Sequence, residues 1–280
     1  MKIDSLLVSS DVRHALAEDV GEGDVTAALL PSSLVVQAEI ISRESMLVCG
    51  QPWVNEVLKQ IDEKIEIEWL VEEGMWLETS TTLCVIHGTA SSILTAERTA
   101  LNFLQTLSAT ATQTHYYAQK LTGSATRLLD TRKTIPGLRN AQKYAVRCGG
   151  GVNHRMGLYD AFLIKENHIK ACGSIAHAIT LARKTDKYLL VEIEVETLSE
   201  LHEAFEAHPD RILLDNFTQD MLIEAVKMNQ PKYCELEASG GITSENIAAI
   251  AKSGVDFISV GAITKSIKAI DLSLLIREVL

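Results

Sequence analysis

Leu189-Leu190-Val191-Glu192-Ile193-Glu194, a helical pattern from Ser199 to Glu206, and then Ile212-Leu213-Leu214-Asp215 form the stretch whose reading decides the fold. Both apolar runs are nearly continuous and too short for helices. They predict strands buried on both faces, and such strands belong to a parallel sheet covered by helices. Reading outward, the pattern repeats. Leu128-Leu129-Asp130, Ala161-Phe162-Leu163-Ile164-Lys165, Tyr233-Cys234-Glu235-Leu236-Glu237 and Phe257-Ile258-Ser259-Val260-Gly261 are further strands. Helical patterns separate most of them, at Ile175 to Arg183, Met221 to Val226 and Ser244 to Ala251. Charged residues close strand after strand: Asp130 to Lys133, Lys165, Glu194, Asp215, Glu237. In a barrel those ends meet at one mouth, whereas an open sheet needs them only near its switch point. No G-x-G-x-x-G follows a first strand, which weakens a dinucleotide fold. Six strands are clear, and a seventh is allowed around Ala145 to Cys148 or elsewhere, so the expected α/β barrel is incomplete.

Ahead of this region the texture differs. Residues 10 to 19 read as a short helix capped by Ser10 or Asp11, ended by Gly21, Gly23 and Asp24. Val35 to Ile41 and Ile65 to Val71 read as strands with a helix near Trp53 to Ile61 between them. A long helix is expected from about Ser92 to Leu121, with Ala96, Ala100, Phe103, Leu104 and Leu107 at helical spacing. The apolar end, Ile270 to Leu280, reads as a helix returning to the N-terminal domain.

Apolar residues make up 46% of the 280, enough for a substantial core, and the net charge of −11 argues against a general nucleic-acid or anionic-membrane binder. No apolar run reaches the length of a spanning helix, and the N-terminus lacks a secretory pattern. Five widely spaced cysteines without C-x-x-C are expected to be free thiols in a reducing cytoplasm. Against the acidic background, Arg127 to Lys170 holds nine Lys/Arg and three Asp/Glu, a net of +6. Beside glycine-rich turns and strand ends, that block predicts a pocket for a small polyanion.

Four stretches carry the chemistry. In Asp130-Thr131-Arg132-Lys133-Thr134-Ile135-Pro136-Gly137-Leu138-Arg139 a strand ends in a polar cluster before a forced turn. Guanidinium groups there suit carboxylate or phosphate, and an ammonium adds a point charge. Gly149-Gly150-Gly151-Val152-Asn153-His154-Arg155 allows close backbone approach and then presents two more donors. Arg132, Lys133, Arg155 and Lys165 together neutralise a multiply charged ligand. Glu192, Glu194 and Glu196 share one strand face, and Glu194 with Asp215 on the next strand offers carboxylates for Mg²⁺ or sugar hydroxyls. Ser239-Gly240-Gly241 and Ser259-Val260-Gly261-Ala262 place small residues at the last strand ends, where backbone N–H groups can hold a terminal phosphate. No H-E-x-x-H or Cys/His cluster occurs, so a permanent zinc site is not expected.

These strings resemble those of the quinolinate phosphoribosyltransferase family. The match includes Ala15-Leu16-Ala17-Glu18-Asp19 with Gly23-Asp24-Val25-Thr26, Glu97-Arg98-Thr99-Ala100-Leu101-Asn102-Phe103, Asp130-Thr131-Arg132-Lys133-Thr134, Lys143-Tyr144-Ala145-Val146, Gly149 to Arg155, Leu163-Ile164-Lys165-Glu166-Asn167-His168, Leu214-Asp215-Asn216, Ser239-Gly240-Gly241, and Gly254 to Gly261. The resemblance implies a smaller N-terminal α/β sandwich domain (1–110) including the start of the linking helix. It implies an incomplete, about seven-stranded α/β barrel of parallel strands (111–268), followed by the C-terminal helix (269–280). It implies a cytoplasmic homodimer, with higher oligomers allowed and active sites at the subunit interface. The reaction implied is phosphoribosyl transfer from 5-phosphoribosyl 1-diphosphate to quinolinate with decarboxylation, giving nicotinate mononucleotide, pyrophosphate and CO₂. Arg98 would reach across the interface, and Arg132, His154, Arg155 and Lys165 would bind quinolinate. Lys133, Arg139, Glu194 and Asp215 would handle ribose and pyrophosphate with Mg²⁺, Glu194 and Asp215 being the metal candidates. Ser239, Gly240, Gly241, Gly261, Ala262 and Lys265 would hold the 5-phosphate. Lys133, Lys165, Glu194 and Asp215 are the catalytic candidates. Two departures are mild: Ser108-Ala109 where many members have Ser-Gly, and Lys265 where many have histidine.

Three other readings compete. A Schiff-base aldolase using Lys133 or Lys165 leaves the four-cation cluster and the glycine pairs unexplained. A pyrophosphorylase for another aromatic acid is closer, but Asn153 and the Leu163 to His168 string favour the quinolinate type. Val71 to Gly88 resembles the hairpins of a lipoyl or biotin carrier, yet contains no lysine to modify.

Overall fold

Asp4 accepts the Leu6 backbone N–H at 2.9 Å and starts helix α1 (Ser5–Asp19), earlier than the expected cap at Ser10 or Asp11. Strand β1 (Val35–Ser42) alternates buried with less buried residues, the pattern of a strand with one covered face. Then β2 (Met46–Leu47) leads through Gly50, at φ +122°, into α2 (Gln51–Ile61). Strands β3 (Glu66–Trp69), β4 (Trp76–Leu77) and β5 (Thr81–Thr89) precede the long helix α3 (Ala90–Gln119). After β6 (Arg127–Leu129) comes α4 (Arg139–Cys148).

From here strand and helix alternate: β7 (Phe162–Ile164), α5 (Glu166–Cys172), α6 (Ile175–Thr185), β8 (Val191–Val195), α7 (Leu198–Ala207), β9 (Arg211–Asp215), α8 (Gln219–Met228), β10 (Glu235–Ser239), α9 (Ile247–Ala251), β11 (Phe257–Ser259), α10 (Ala262–Lys265) and finally β12 (Leu272–Val279). Caps set the helix starts. The Ser174, Thr197 and Thr218 hydroxyls accept backbone N–H groups of His177, Glu200 and Met221, opening α6, α7 and α8.

This computed structural model describes residues 3–79, 81–230 and 232–280. The chain forms two units, one of Met1–His115, Ile135–Gly149 and Ser266–Leu280, the other of Tyr116–Thr134 and Gly150–Lys265. The first is the smaller-sheet α/β domain, with antiparallel order β12-β1-β5-β3 and a separate β2-β4 pair. Its core centres on fully buried Trp53, whose ring lies 5.4 Å from Tyr144 and 6.4 Å from Phe103. The Trp53 indole N–H donates to Asp11 Oδ2 at 3.1 Å, so the one polar atom of that ring is satisfied.

The second unit is the incomplete α/β barrel: six parallel strands in the order β6-β11-β10-β9-β8-β7. Four of the five residues of β8 are buried, Glu192 among them, as a strand covered on both faces requires. Two expectations need correction. The apolar C-terminal segment is strand β12, not a helix, and pairs antiparallel with β1 from Ser42↔Leu272 to Val36↔Val279. Ala145 to Cys148 is the end of α4, because Ala141, Tyr144, Ala145 and Cys148 recur at helical spacing. The additional strand position is instead the parallel bridge of Val152 to Leu129. Among the described residues no helix is long and apolar enough to cross a membrane.

Candidate active site

Register builds the site. Side chains alternate along a strand, so Glu192 with Glu194, Leu213 with Asp215, and Glu237 with Ser239 share faces. Parallel pairing sets Glu194 and Glu237 beside Leu213, and Ser239 beside Asp215. Residues from every strand or strand end of the barrel thus reach one cavity of about 400 Å³. Its walls are Thr131, Arg132 and Lys133 after β6, His154 and Arg155, Leu163 and Lys165 at β7, Glu194, Leu213, Asp215, Glu237, Ser239 and Ser259. Four cations converge there. A hollow of about 480 Å³ elsewhere, among His202, Phe205, Glu206, His208, Met228 and Tyr233, contains no lysine or arginine.

Buried Asp130 positions the glycine-rich segment. Its carboxylate accepts from Asn153 Nδ2 at 2.6 Å and from the His154 backbone N–H at 2.8 Å. The Lys133 backbone N–H donates to Thr131 Oγ1 at 3.0 Å, and the Lys133 carbonyl accepts from Thr264 Oγ1 at 2.8 Å. Gly261 lets the Lys133 stem pass: a Cβ there would sit 3.0 Å from Lys133 Cδ. Gly240, at φ +91°, is demanded more strictly, since its Cβ would fall 2.2 Å from Asn216 Oδ1.

Two electrostatic layers follow. At the mouth, Lys165 is ion-paired to Glu194, and Asn216 Nδ2 donates to Asp215 Oδ2 at 2.7 Å. Burial, and next the neighbouring Arg132, lower the Arg155 pKa from its ordinary value, so this pair of guanidinium groups favours an entering anion. Deeper lies His154. Its Nδ1 accepts the Arg155 backbone N–H at 2.7 Å, which leaves Nε2 to face Glu192 at 3.0 Å and Glu237 at 3.5 Å. Burial pushes Glu192 up to about 7, and burial with the adjacent Glu192 pushes Glu237 up to about 8. Underneath, Arg211 binds Glu235 at 2.8 Å, approaches Glu237 at 3.5 Å and lies 4.1 Å over the Phe257 ring.

Of the residues singled out from sequence, Arg132, Lys133, His154, Arg155, Lys165, Glu194, Asp215 and Ser239 line the cavity. Gly240, Gly241, Gly261, Ala262 and exposed Lys265 belong to the same unit but lie outside the lining. Arg98, exposed on α3, and Arg139, the first residue of α4, belong to the other unit. Of the glutamates in and just after β8, Glu194 lines the cavity, Glu192 is buried beneath it, and Glu196, one residue past the strand, is exposed. The sequence marks Glu237 only as a strand end, includes Asp130 and Ser259 in its chemistry-bearing stretches without a role of their own, and gives no sign of Arg211. The two-residue period from Ser239 back to Glu237 was the available signal.

Residues 110–275 match the family described as "Quinolinate phosphoribosyl transferase, C-terminal domain", and residues 24–108 its N-terminal domain. A Bacillus subtilis protein, "Probable nicotinate-nucleotide pyrophosphorylase [carboxylating]", is 39% identical over 94% of this chain and 91% of its own length. The Mycobacterium leprae nicotinate-nucleotide pyrophosphorylase [carboxylating] is 39% identical, covering 94% of this chain and 95% of that one. The structure of the nicotinate-nucleotide pyrophosphorylase from Francisella tularensis superposes with a TM-score of 0.95 at 51% identity, covering 99% of this chain and 98% of that one.

Proposed function

The chain belongs to the quinolinate phosphoribosyl transferase family, and from that premise we propose that it transfers the phosphoribosyl group of 5-phosphoribosyl 1-diphosphate to quinolinate. Nicotinate mononucleotide, pyrophosphate and CO₂ are the products. One observation carries the reading: Arg132, Lys133, Arg155 and Lys165 share a cavity with Glu194 and Asp215. That charge pattern suits a dicarboxylate held against an activated sugar phosphate.

Arg132, Arg155 and Lys165 bind the two carboxylates, with His154 oriented beside them. The pyridine nitrogen attacks the anomeric carbon as pyrophosphate leaves, and positive charge develops on the sugar. Glu194 and Asp215 face that charge, while Lys133 favours departure of pyrophosphate, a role for which the family resemblance alone also suggests Arg139. Once the ring nitrogen is quaternary, the ring stabilises the carbanion left when the 2-carboxylate departs as CO₂. No covalent enzyme adduct is needed, and Lys165 is engaged by Glu194 rather than left to attack a carbonyl as in a Schiff-base aldolase. Ser239, Gly240, Gly241, Gly261, Ala262 and Lys265 hold the 5-phosphate near the last strands.

Glu194 and Asp215 present oxygen donors of the kind Mg²⁺ takes together with phosphate oxygens and water. The alternative group of His154, Glu192 and Glu237, with ligand atoms within 4.8 Å of one another, fits less well. It offers a nitrogen, and burial favours protonated carboxyls there. Bound with the diphosphate, Mg²⁺ supplies charge neutralisation of the leaving group. The family resemblance also supports a homodimer in which Arg98 of the partner subunit completes each site. The test is formation of nicotinate mononucleotide and CO₂ from quinolinate, run beside nicotinate. Turnover of quinolinate alone supports the reading, and preference for nicotinate would overturn it.

A further inference from the structure

A second group of reactive side chains lies in the first unit. The sulfurs of Cys49 and Cys148 and a carboxylate oxygen of Glu73 are all within 4.8 Å of one another. Cys49 follows β2 and is fully buried. Its backbone N–H donates to Ser108 Oγ at 3.0 Å, and its carbonyl accepts from the same hydroxyl at 3.0 Å. Cys148, the last residue of α4, is only half-buried. Glu73 is fixed separately, accepting the backbone N–H groups of Gly50 at 2.9 Å and Gln51 at 3.1 Å. Tyr144 lies one helical turn before Cys148 on the same face of α4.

We propose that Cys148 and Cys49 form a peroxide-responsive thiol pair, with Cys148 the sulfur oxidised first and Cys49 the sulfur that resolves it into an intrachain disulfide. The two positions differ in the way this division needs. Cys148 is half-buried at the end of α4 whereas Cys49 is fully buried, and the neighbouring Cys49 thiol, its largest influence, lowers the Cys148 pKa. Burial, followed by its hydrogen bond to Cys148, keeps Cys49 in the thiol form. In the first step the Cys148 thiol takes one oxygen from hydrogen peroxide, giving the sulfenic acid and water. In the second, Cys49 sulfur attacks Cys148 sulfur, the S–O bond breaks, and the Cys49 proton leaves with the hydroxyl as a second water. Two electrons pass from the two sulfurs to one peroxide, and a dithiol reductant reverses the change. A thiolate metal site is disfavoured, because the Glu73 oxygens already accept backbone donors and Cys49 holds its proton.

The experiment exposes the reduced full-length protein to a small excess of hydrogen peroxide, traps remaining thiols with N-ethylmaleimide, and reads mass. This readout does not depend on the enzyme's substrate. The expected result is a chain with two maleimide adducts fewer than the reduced control and about 2 Da lost besides, with one peptide pair joined through Cys49 and Cys148 and restored by dithiothreitol. Cys49→Ser should stop at a dimedone-reactive Cys148, and Cys148→Ser should give neither product. Cys49→Ala repeats the first arm in case a buried hydroxyl unsettles folding, with thermal melts confirming that each variant is folded. Half-buried Cys172 is the internal control. A disulfide at other positions, oxidation of Cys172 ahead of Cys148, a reactive folded Cys148→Ser variant, or one equivalent of tightly bound zinc blocking the reaction would overturn the proposal.

Discussion

Arg155 is held at a cost in the free protein, since burial and then the nearby Arg132 both work against its charge. An entering dicarboxylate relieves that repulsion and accepts paired donors from each guanidinium group. A hydrogen bond to a charged group is worth about 1.5–3 kcal/mol, or roughly 10- to 150-fold in a rate constant. The R132A/R155A variant is therefore expected to lose at least about 100-fold in kcat/KM for quinolinate while remaining folded. Near-normal steady-state kinetics would contradict the assignment. Deeper in the barrel, Glu237 predicts a stability effect with a definite sign. Its carboxyl is raised from 4.5 to about 8, so between those values the folded protein binds a proton that the unfolded chain releases. Its stabilising contribution is complete below about pH 4.5 and declines as pH rises toward 8. Glu237→Gln replaces the protonated acid with a neutral amide and removes that decline. Urea denaturation should show wild type losing a few kcal/mol relative to the variant between pH 5.5 and 8, and parallel pH curves would refute it.

The turn after β10 shows how an element depends on one residue without a side chain. Gly240 is at φ +91°, and a methyl group there would meet Asn216 Oδ1 at 2.2 Å, while Asn216 is itself at φ +56° beside Asp215. Gly240→Ala is expected to cost about 1–3 kcal/mol and lower the melting temperature by several degrees. An unchanged melt would show that the turn relaxes freely. The same elements show what could be read in advance. Strand β9 was legible because burial on both faces leaves the unbroken run Ile212-Leu213-Leu214, and β8 because Val191, Ile193 and Val195 recur at the strand period of two. The end of α4 left a strand open at Ala145 to Cys148, although Ala141, Tyr144 and Cys148 carry the helical period. Strand β12 was not legible, because its partner β1 lies more than 200 residues earlier and pairing at that distance leaves no local mark. Sequence period placed Glu192, Glu194 and Glu196 on one face. Their depths came from registration with β9 and β10, which no single strand encodes.

At the scale of the molecule, the charge distribution asks how one cavity is completed. The barrel unit supplies Arg132, Lys133, Arg155 and Lys165, whereas Arg98 is exposed on α3 in the other unit. If Arg98 serves the site of the second protomer in a two-fold dimer, loss of function at Arg98 and at the barrel cations must complement in trans. R98A and R132A/R155A should each be nearly inactive as homodimers. Dissociated, mixed equally and reassembled, half of the dimers carry one chain of each kind. Each such dimer has one site with an intact barrel and the intact Arg98 of the partner subunit, and one site damaged in both. Random reassembly should therefore recover about a quarter of wild-type activity. Size-exclusion chromatography and native mass spectrometry establish exchange, and steady-state turnover measures recovery. Full exchange without recovered activity would place Arg98 in service of its own chain, because each mixed dimer would then hold two damaged sites, whereas an active R98A homodimer would place Arg98 outside the site altogether.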